Sequence, residues 1–403
     1  MRLCAVFALA LLAAGCFPHR AEAPTPRYAR PAEPKPAERP YLVVEETPVV
    51  RVRLGAGANG RVELKADGGL ELVLPDGKSG TMGGELVAVR LDNGRLAVEV
   101  GGRTWRRGAE TLAVRSRGGH IRVGDRRYRG ELRLFAGGTG ELVVVNRLGI
   151  EEYLYGVVPC EIGPANEQTY EAIKAQAVAA RTFTLARLGR RQGLGHDLFD
   201  SHLRDQEYRG AGPENEFARR AVDATRGEVL TYKGELVEAL YHTTCGGVTN
   251  TGSQPYLKSV ADSPGRGRPA WCANGSGFEW QAIVSADSLG RVLARLGSLA
   301  GRVSVRDWRL EKDKASGRVR KAHFTLGSGS VTVGGNELRM ALGLKSHAFT
   351  IKRRGSGFQF DGFGWGHGSG MCQSGAVAMA RAGHSAYEIL NHYYSGVERA
   401  RRY

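Results

Sequence analysis

One carboxyl in this sequence stands where it could act as a general acid. Glu161 directly follows the apolar, strand-like run YLYGVVPC and precedes Gly163 and a helix-forming segment. This pattern predicts a carboxyl at a strand–loop junction, facing a cleft. A glutamate in a partly apolar site has a raised pKa and can protonate a leaving group. The alternative is an ordinary loop carboxylate that pairs with Arg181 of the following helix.

A second chemical feature is the segment GFGWGHGSGMCQ, residues 362–373, in which glycine alternates with larger residues. As a strand it would have one bare face and one face that presents Trp365 and His367, with Gln373 close behind. Each strand glycine costs about 0.5–1 kcal/mol relative to alanine, so we expect close approach of a neighbouring backbone or a ligand. The aromatic and polar face suits a sugar. The alternative is a packed central strand with His367 in the core.

Cysteine and histidine spacing indicates either a metal site or disulfides. His242 and Cys245 form an H-x-x-C pair, and Cys272 follows beside a tryptophan. Neutral imidazole and thiolates suit tetrahedral zinc, with an open fourth position if three residues bind it. The rivals are a Cys245–Cys272 disulfide, which an oxidising compartment would favour, and free thiols. Cys160 and Cys372 could pair with each other or be buried as small apolar residues.

The elements that must position these groups are strands first and a strand–helix mixture afterwards. Short alternating runs fill residues 49 to 150, punctuated by DG, NG and GG dipeptides. This pattern predicts an antiparallel meander that forms a sandwich or an open barrel. Helical and strand patterns are mixed from there to the C-terminus. The predicted fold class is therefore α+β, a β-rich, meander- or barrel-like body with helices packed around a cleft.

A helix is predicted from Glu167 to Leu188, directly after the candidate acid. Lys174 and Arg181 lie seven residues apart on one of its faces. Another face should be buried, because its small and apolar residues recur at helical spacing. That stripe comprises Ile173, Ala177, Ala180 and Thr184.

Turn and cap signals mark shorter elements. Residues 228–244 are expected to form a hairpin around Lys233 and Gly234. A C-terminal helix is expected to start at Ser385, with Glu388 completing a capping box.

The N-terminus has the form of an export signal. Residues 1–16 contain an apolar run too short for a spanning helix with proper flanks, and they end LAAGC. We predict a lipoprotein signal peptide with lipidation at Cys16; simple secretion and a retained anchor are the alternatives. Residues 17–48 are rich in proline, which predicts an extended spacer. A globular body from residue 49 onward would thus be held off a membrane.

The chain is basic, with a net charge of +16 over 403 residues. Such a charge suits an anionic partner, for example a cell-wall polymer or a lipid surface. The charge is spread along the chain, and no nucleic-acid-binding motif accompanies it, so we expect no nucleic-acid partner.

Several blocks, taken together and in order, resemble the stage II sporulation protein D/LytB (SpoIID/LytB) family. They are NRLGIEEYLYGVVPCEI, EAIKAQAVAARTFTLAR, DQEYRG, YHTTCGG, PYLKSVAD and GWGHGSGMCQSGAVAMARAGHSAYEILNHYYSGV. The resemblance covers residues 49–400 and is densest in 145–260 and 362–397. It implies action on peptidoglycan, either as a lytic transglycosylase or as an enhancer of a cell-wall amidase.

The resemblance also implies roles for individual residues. Glu161 corresponds to the catalytic acid of the family, and Lys174 and Arg181 to the lysine and arginine of its helix. The spacer after Glu161 is about two residues longer than is usual in the family, which bears on the reach of Glu161 toward both. Further expected substrate-binding residues are Tyr208, Trp365, His367 and Gln373. Some family members bind zinc in the region of His242, Cys245 and Cys272.

We therefore expect a membrane-anchored lipoprotein that faces the cell wall, in the periplasm or on the outer face of the cell membrane. Its expected activity is lytic cleavage of glycan strands by Glu161, which leaves 1,6-anhydro-muramyl ends. The alternatives are a non-catalytic enhancer of an amidase and a purely structural envelope protein. The expected organisation is a signal peptide (1–16), a linker (17–48), a β-rich N-terminal part (49–145) and a catalytic core (146–400).

Overall fold

A computed structural model describes residues 46–57, 59–301 and 303–403. The predicted signal peptide, the lipidation site Cys16 and nearly all of the predicted linker lie outside these residues. Of the helices in the described ranges, none is both long and apolar enough to cross a membrane.

Strands occupy the N-terminal part of the described chain, as the alternating pattern predicts. They are β1 (Val49–Arg53), β2 (Arg61–Lys65), β3 (Leu70–Val73), β4 (Ser79–Met82), β5 (Val87–Asp92), β6 (Arg95–Val100), β7 (Arg103–Ala109), β8 (Thr111–Ser116), β9 (Ile121–Val123), β10 (Arg126–Tyr128), β11 (Glu131–Ala136) and β12 (Leu142–Gly149). In β2, for example, Val62 and Leu64 point inward while their neighbours are exposed. The inward faces share one hydrophobic core.

These strands form two sheets rather than one meander. The first has the order β13-β1-β12-β11-β8-β3-β4, where β13 (Leu198–Phe199) pairs in parallel with β1. The second has the order β10-β9-β2-β5-β6-β7. Consecutive strands such as β1, β2 and β3 therefore alternate between sheets. The α+β class is confirmed, but the described strands do not close into a barrel.

The segment before Glu161 is a helix, and its prediction as a strand was wrong. Helix α1 (Ile150–Glu161) starts after Gly149, whose N–H donates to the Glu152 carboxylate at 3.3 Å. Its buried apolar residues recur three and four positions apart, which is the spacing of a helix face. They are Ile150, Tyr153, Leu154, Val157 and Val158. Glu161 is thus the last residue of a helix that is packed into the core.

The predicted helix after Glu161 is confirmed, with different bounds. A 3₁₀ turn (Glu167–Thr169) leads into α2 (Tyr170–Leu185). All four residues of the predicted stripe are buried. Small side chains let α2 sit among α1, α3 (Glu216–Ala224), α6 (Gln373–Arg381) and α7 (Ala386–Tyr393). Ser385 caps α7 with Glu388 in the predicted capping box.

A second hydrophobic core lies within residues 279–363. Its elements are β17 (Glu279–Ser285), α4 (Ala286–Leu296), β18 (Val305–Lys312), β19 (Val319–Leu326), β20 (Gly329–Gly334), α5 (Gly335–Leu342), β21 (Phe349–Arg354) and β22 (Gly357–Phe363). Three-stranded sheets β17-β22-β21 and β18-β19-β20 supply its faces.

The remaining strands are short. They are β14 (Glu228–Tyr232), β15 (Glu235–Leu236), β16 (Tyr241–His242), β23 (Met371–Cys372) and β24 (Glu398–Arg401). The predicted hairpin is formed by β14 and β15, and both of its turn residues, Lys233 and Gly234, have positive φ.

The glycine-rich segment is not a continuous strand. Strand β22 ends at Phe363, and the next four glycines (364, 366, 368 and 370) have φ between 72° and 110°, which side chains rarely adopt. The expected close approach of a neighbouring backbone is confirmed. A Cβ on Gly364 would lie 2.7 Å from the Cys245 carbonyl oxygen, and one on Gly366 would lie 2.8 Å from His242 Cβ. Because glycine has no side chain, this segment can pack directly against the backbone of residues 240–246.

Candidate active site and metal centre

Glu161 opens into a cleft of about 660 Å³ between the end of α1 and the start of α6. A 3₁₀ turn (Trp271–Asn274) forms the third wall. Among the lining residues, Glu161 carries the one carboxylate and Arg381 the one cationic side chain. The lining comprises Glu161, Ile162, Gly163, Pro164, Thr243, Trp271, Asn274, Gly275, Ser276, Gln373, Ser374, Val377, Ala378, Arg381 and Ala382.

Hydrogen bonds fix the position of the Glu161 carboxyl, and its raised pKa favours the protonated form. Burial raises its pKa. The Glu207 backbone N–H donates to Glu161 Oε1 at 2.7 Å, and this bond and one from Gln373 oppose the rise without cancelling it. The charge of Glu161 contributes, after burial, to the raised pKa of two nearby buried tyrosines, Tyr153 and Tyr241. This environment gives Glu161 the character of a general acid.

Because the pKa of Glu161 is raised in the folded protein, its ionised form destabilises the folded state at neutral pH. Because the folded pKa exceeds the unfolded one, stability falls as pH rises from the unfolded value of about 4.3 through the folded value. We expect Glu161→Gln to raise Tm at pH 7 and to change it little at pH 4, as measured by calorimetry.

Glu207→Gln is the matched control with the opposite sign. Burial acts to raise the pKa of Glu207, but hydrogen bonds from His202 and Arg209 outweigh it and lower that pKa. Its ionised form therefore stabilises the fold above pH 4.3 or so, and Glu207→Gln should lower Tm at pH 7. Equal responses of the two variants would contradict the assignment.

Gln373, an expected substrate-binding residue, meets Glu161 in this cleft. It is the first residue of α6, and its Nε2 donates to Oε1 of buried Gln176 at 3.3 Å. That bond fixes the Gln373 side chain, whose amide also hydrogen-bonds the Glu161 carboxylate. Gln176 of α2 was not singled out in the sequence.

Lys174 and Arg181 do not line the cleft. Lys174 pairs with Glu171 at 3.0 Å along α2. Arg181 is fully buried, and its Nε and Nη2 donate to the Glu151 carboxylate at 3.0 and 2.7 Å. The prediction of Arg181 as a substrate contact was therefore wrong, and so was its alternative pairing with Glu161. Its guanidinium holds α1 to α2, where no substrate reaches it.

Replacing Arg181 should destabilise the fold. In Arg181→Met the Glu151 carboxylate keeps the Tyr403 hydroxyl as a donor but loses its buried counter-ion. We expect a loss of about 3–5 kcal/mol in unfolding free energy, measured in urea. Adding Glu151→Met should restore part of it, because no charge then remains unpaired. An unchanged stability with lost substrate binding would argue for the substrate role.

Two other predicted substrate residues are engaged inside the protein. Tyr208 is buried, and its hydroxyl donates to Asn146 Oδ1 at 2.8 Å. His367 uses both ring nitrogens, since Nε2 bonds the Tyr241 carbonyl at 3.0 Å and Nδ1 accepts from the Ser369 N–H at 3.1 Å. The prediction of Tyr208 as a sugar contact is therefore wrong, whereas His367 is partly exposed and its ring is held by the backbone of Tyr241 and Ser369.

Trp365 remains available to a ligand. Its side chain is 40% exposed, next to Phe363 at 49%. The Lys345 ammonium lies 4.9 Å from the indole centroid. The indole rests against Gly277, just beyond the cleft-lining residue Ser276. This exposed ring therefore extends the cleft edge as a flat apolar surface.

Four buried side chains form a group that could hold a metal. Their ligand atoms all lie within 4.8 Å of one another. The group consists of Cys245, Asp262, Cys272 and Cys372. Tetrahedral zinc at about 2.3 Å from each thiolate would place its sulfurs at such separations, and three thiolates with one carboxylate suit that ion. All four positions of a tetrahedron would be filled by protein, which is typical of a structural site.

The surroundings of this group suit anionic ligands. Cys372 Sγ accepts from the backbone N–H groups of Cys245 and Gly375 at 3.2 and 3.4 Å. The Tyr393 hydroxyl donates to Asp262 Oδ1 at 2.7 Å and orients the carboxylate. Burial raises the pKa of Asp262 to about 7, and a bound cation would favour its ionised form.

The metal prediction is corrected in its ligands. Cys245 and Cys272 come together with their Sγ atoms 3.4 Å apart, and both are free thiols rather than a disulfide. His242 lies outside the group. Its Nδ1 bonds the Ser369 carbonyl at 3.1 Å. Instead of His242, the group contains Cys372 and Asp262. Cys160 is a separate thiol near the end of α1.

Comparison with known proteins gives the relatives of this chain. A model described as SpoIID, Stage II sporulation protein, matches residues 138–232, and a domain of unknown function matches 272–370. A stage II sporulation protein D of Bacillus amyloliquefaciens is 32% identical, over 63% of this chain and 75% of the relative. An uncharacterized protein of Brachyspira hyodysenteriae is 33% identical, over 67% and 72%. An amidase enhancer of Bacillus subtilis is 29% identical, over 60% of this chain and 39% of the relative.

Proposed function

The chain belongs to the stage II sporulation protein D family, and on that premise we propose that it is a peptidoglycan lytic transglycosylase. The observation that carries the proposal is Glu161, a lone carboxyl in its cleft whose pKa is raised by burial. Hydrolytic glycosidases generally need two carboxyls across the scissile bond. A lytic transglycosylase can work with one, because the sugar supplies its own nucleophile.

In the proposed reaction Glu161 acts twice. Its protonated carboxyl donates to the glycosidic oxygen while the C1–O bond of the muramyl residue breaks, leaving an oxocarbenium-like sugar. The resulting carboxylate then takes the proton from that sugar's 6-hydroxyl. The hydroxyl oxygen bonds to C1 and closes a 1,6-anhydro ring. Glu161 ends protonated, and no water is consumed.

Other cleft residues are proposed to bind the glycan. The Gln373 amide, fixed by Gln176, donates a hydrogen bond to Glu161 or to a sugar hydroxyl. Arg381 lines the cleft and makes no salt bridge with a described residue, so it is free to pair with a muramyl carboxylate. Trp365 offers a surface on which a pyranose can stack. Lys174, paired with Glu171, would influence the site only through the helix that carries Gln176.

We further propose that Cys245, Asp262, Cys272 and Cys372 hold zinc. When bound, the ion would cross-link the chain and supply no catalysis, because protein ligands fill its coordination sphere. Cys272 belongs to the turn that carries Trp271, and Cys372 caps the helix that begins with Gln373. The four ligands thereby fix two walls of the cleft.

The amidase-enhancer function is the second candidate, and the relative of that name favours it. Such a protein would bind glycan without using the Glu161 carboxyl. In either case the proposed site of action is the cell wall, reached by export and held there by the proposed lipid anchor.

The test is digestion of purified glycan strands, both denuded and peptide-bearing, by residues 41–403. Mass spectrometry of the products separates the candidates. Products lighter by one water than hydrolysis products would establish the transglycosylase. Products of hydrolytic mass would make water the acceptor. Binding without any cleavage would favour the enhancer.

A further inference from the structure

A second cavity, of about 610 Å³, lies apart from the Glu161 cleft. One side is the loop of residues 250–253; the other is the second core, at β19 and the start of α5. Its lining comprises Asn250, Thr251, Gly252, Ser253, Asp313, Arg318, Val319, Arg320, Gly334, Gly335, Asn336, Glu337 and His347. The site already described shares none of these residues.

Arg318 is the distinctive group of this cavity. It is 1% exposed, and one of its nitrogens, Nη2, donates to the Cys245 carbonyl at 2.8 Å. Its Nε and Nη1 have no hydrogen-bond partner, and no described carboxylate forms a salt bridge with it. A guanidinium carries five donors and a fixed charge. The Cys245, Cys272 and Cys372 sulfurs lie close enough to act on this charge, but they leave Nε and Nη1 without a hydrogen-bond acceptor. Buried donors without an acceptor are costly, so the arrangement points to a missing acceptor.

The cavity contains another polar side chain without a partner, but neither of its two carboxylates is available to neutralise Arg318. His347 is buried, and its Nδ1 has no partner. The Asp313 carboxylate accepts hydrogen bonds from the Arg320 guanidinium and from the N–H groups of Ala315 and Ser316. The Glu337 carboxylate accepts from the Gly334 N–H at 3.1 Å and caps α5. Both carboxylates are therefore used elsewhere, and the charge of Arg318 is not neutralised by them.

We propose that this cavity binds a carboxylate of the peptidoglycan substrate, an inference that rests on the proposed function. The polymer carries this group on its muramyl lactyl ethers and at the ends of its peptides. One unpaired guanidinium beside two carboxylates suits a single negative charge. A doubly charged phosphate would be repelled by Asp313 and Glu337. Arg318 pairs with the ligand, and Asn336 lies at the exposed rim.

Binding of small probes to residues 41–403 tests this, by titration calorimetry. The probes are N-acetylmuramic acid, D-alanyl-D-alanine, N-acetylglucosamine and inorganic phosphate. We expect at least one carboxylate probe to bind, and the uncharged sugar and phosphate to bind at least about tenfold more weakly. Binding of N-acetylmuramic acid alone assigns the lactyl carboxylate; binding of the dipeptide alone assigns the peptide carboxylate.

Variants locate the binding. Arg318→Gln should abolish it, but this buried change could also unfold the protein. Asn336→Asp adds one charge at the exposed rim and should weaken binding about fivefold. The matched control Gln192→Glu adds the same charge at an exposed position outside the cavity and should leave binding unchanged. Arg381→Gln removes the carboxylate partner proposed for the Glu161 cleft, so carboxylate binding that remains in this variant, and that Asn336→Asp weakens, belongs to the second cavity.

The outcomes also separate this proposal from the enzymatic one. Glu161→Gln should abolish cleavage and preserve carboxylate binding. Carboxylate binding sensitive to Asn336→Asp in a protein that cleaves no glycan would support this site and reject the enzyme. Equal binding of N-acetylglucosamine, tighter binding of phosphate, or indifference to Asn336→Asp would overturn the site.

Discussion

Glu161→Gln is expected to lower glycan cleavage by at least about 10³-fold, near the upper end for general acid–base catalysis. The effect is large because one group performs both proton transfers. Glutamine keeps the shape of the side chain and its hydrogen bond from the Glu207 N–H, so glycan binding should survive. Anhydro-muramyl products counted by mass spectrometry give the rate. In the wild type, activity should fall as pH rises through the raised pKa of Glu161, because the acid must be protonated.

Glu207→Gln is the control for this experiment. It keeps the backbone N–H that holds Glu161 and removes a neighbouring carboxylate bound to His202 and Arg209. We expect a change in rate of less than about tenfold. If Glu161→Gln retained wild-type cleavage and Glu207→Gln did not, the general acid would be assigned to the wrong residue.

Cys272→Ser is expected to remove bound zinc and to cost several kcal/mol of stability. Structural zinc sites have apparent binding free energies of about 10–16 kcal/mol at neutral pH, much of which is folding free energy. Purified protein should contain one zinc per chain by elemental analysis, and a strong chelator should lower Tm. The variant should lose both the metal and the response to chelator.

Cys160→Ser is the matched control, since this thiol lies outside the metal group. It should keep the zinc and nearly all of the stability. A wild-type protein without metal, whose intact mass shows two hydrogens missing, would instead indicate that Cys245 and Cys272 have formed a disulfide.

The sequence predicted elements whose determinants are local. The strands before residue 150, the turn at Lys233 and Gly234 and the capping box of Ser385 each depend on neighbouring residues, and the structure has all of them. Helix α1 was missed although its apolar residues have helical spacing, because the segment was interpreted as one short apolar run, a pattern that strands and buried helices share. The spacing was the better guide.

Features that depend on distant parts of the chain could not be predicted. Arg181 finds its partner Glu151 thirty positions earlier. Cys372 reaches Cys245 because β16 pairs in parallel with β23, which sets His242 opposite Cys372. Histidine was chosen as a ligand by residue type, while Asp262 gave no signal of its own. The glycine-rich segment has a strand-like period of two, but its positive φ values follow from the loop packed against it.

The ends of residues 279–363 lie side by side, since Glu279 and Phe363 are paired across β17 and β22. This segment begins and ends at adjacent points and has its own hydrophobic core, which is the organisation of an inserted domain. A short turn could bridge the gap that its removal would leave, and another module could be grafted there. Exchange of this part would keep every residue of the Glu161 cleft and every proposed metal ligand, and one contact that it would have to replace is the bond from Arg318 to the Cys245 carbonyl.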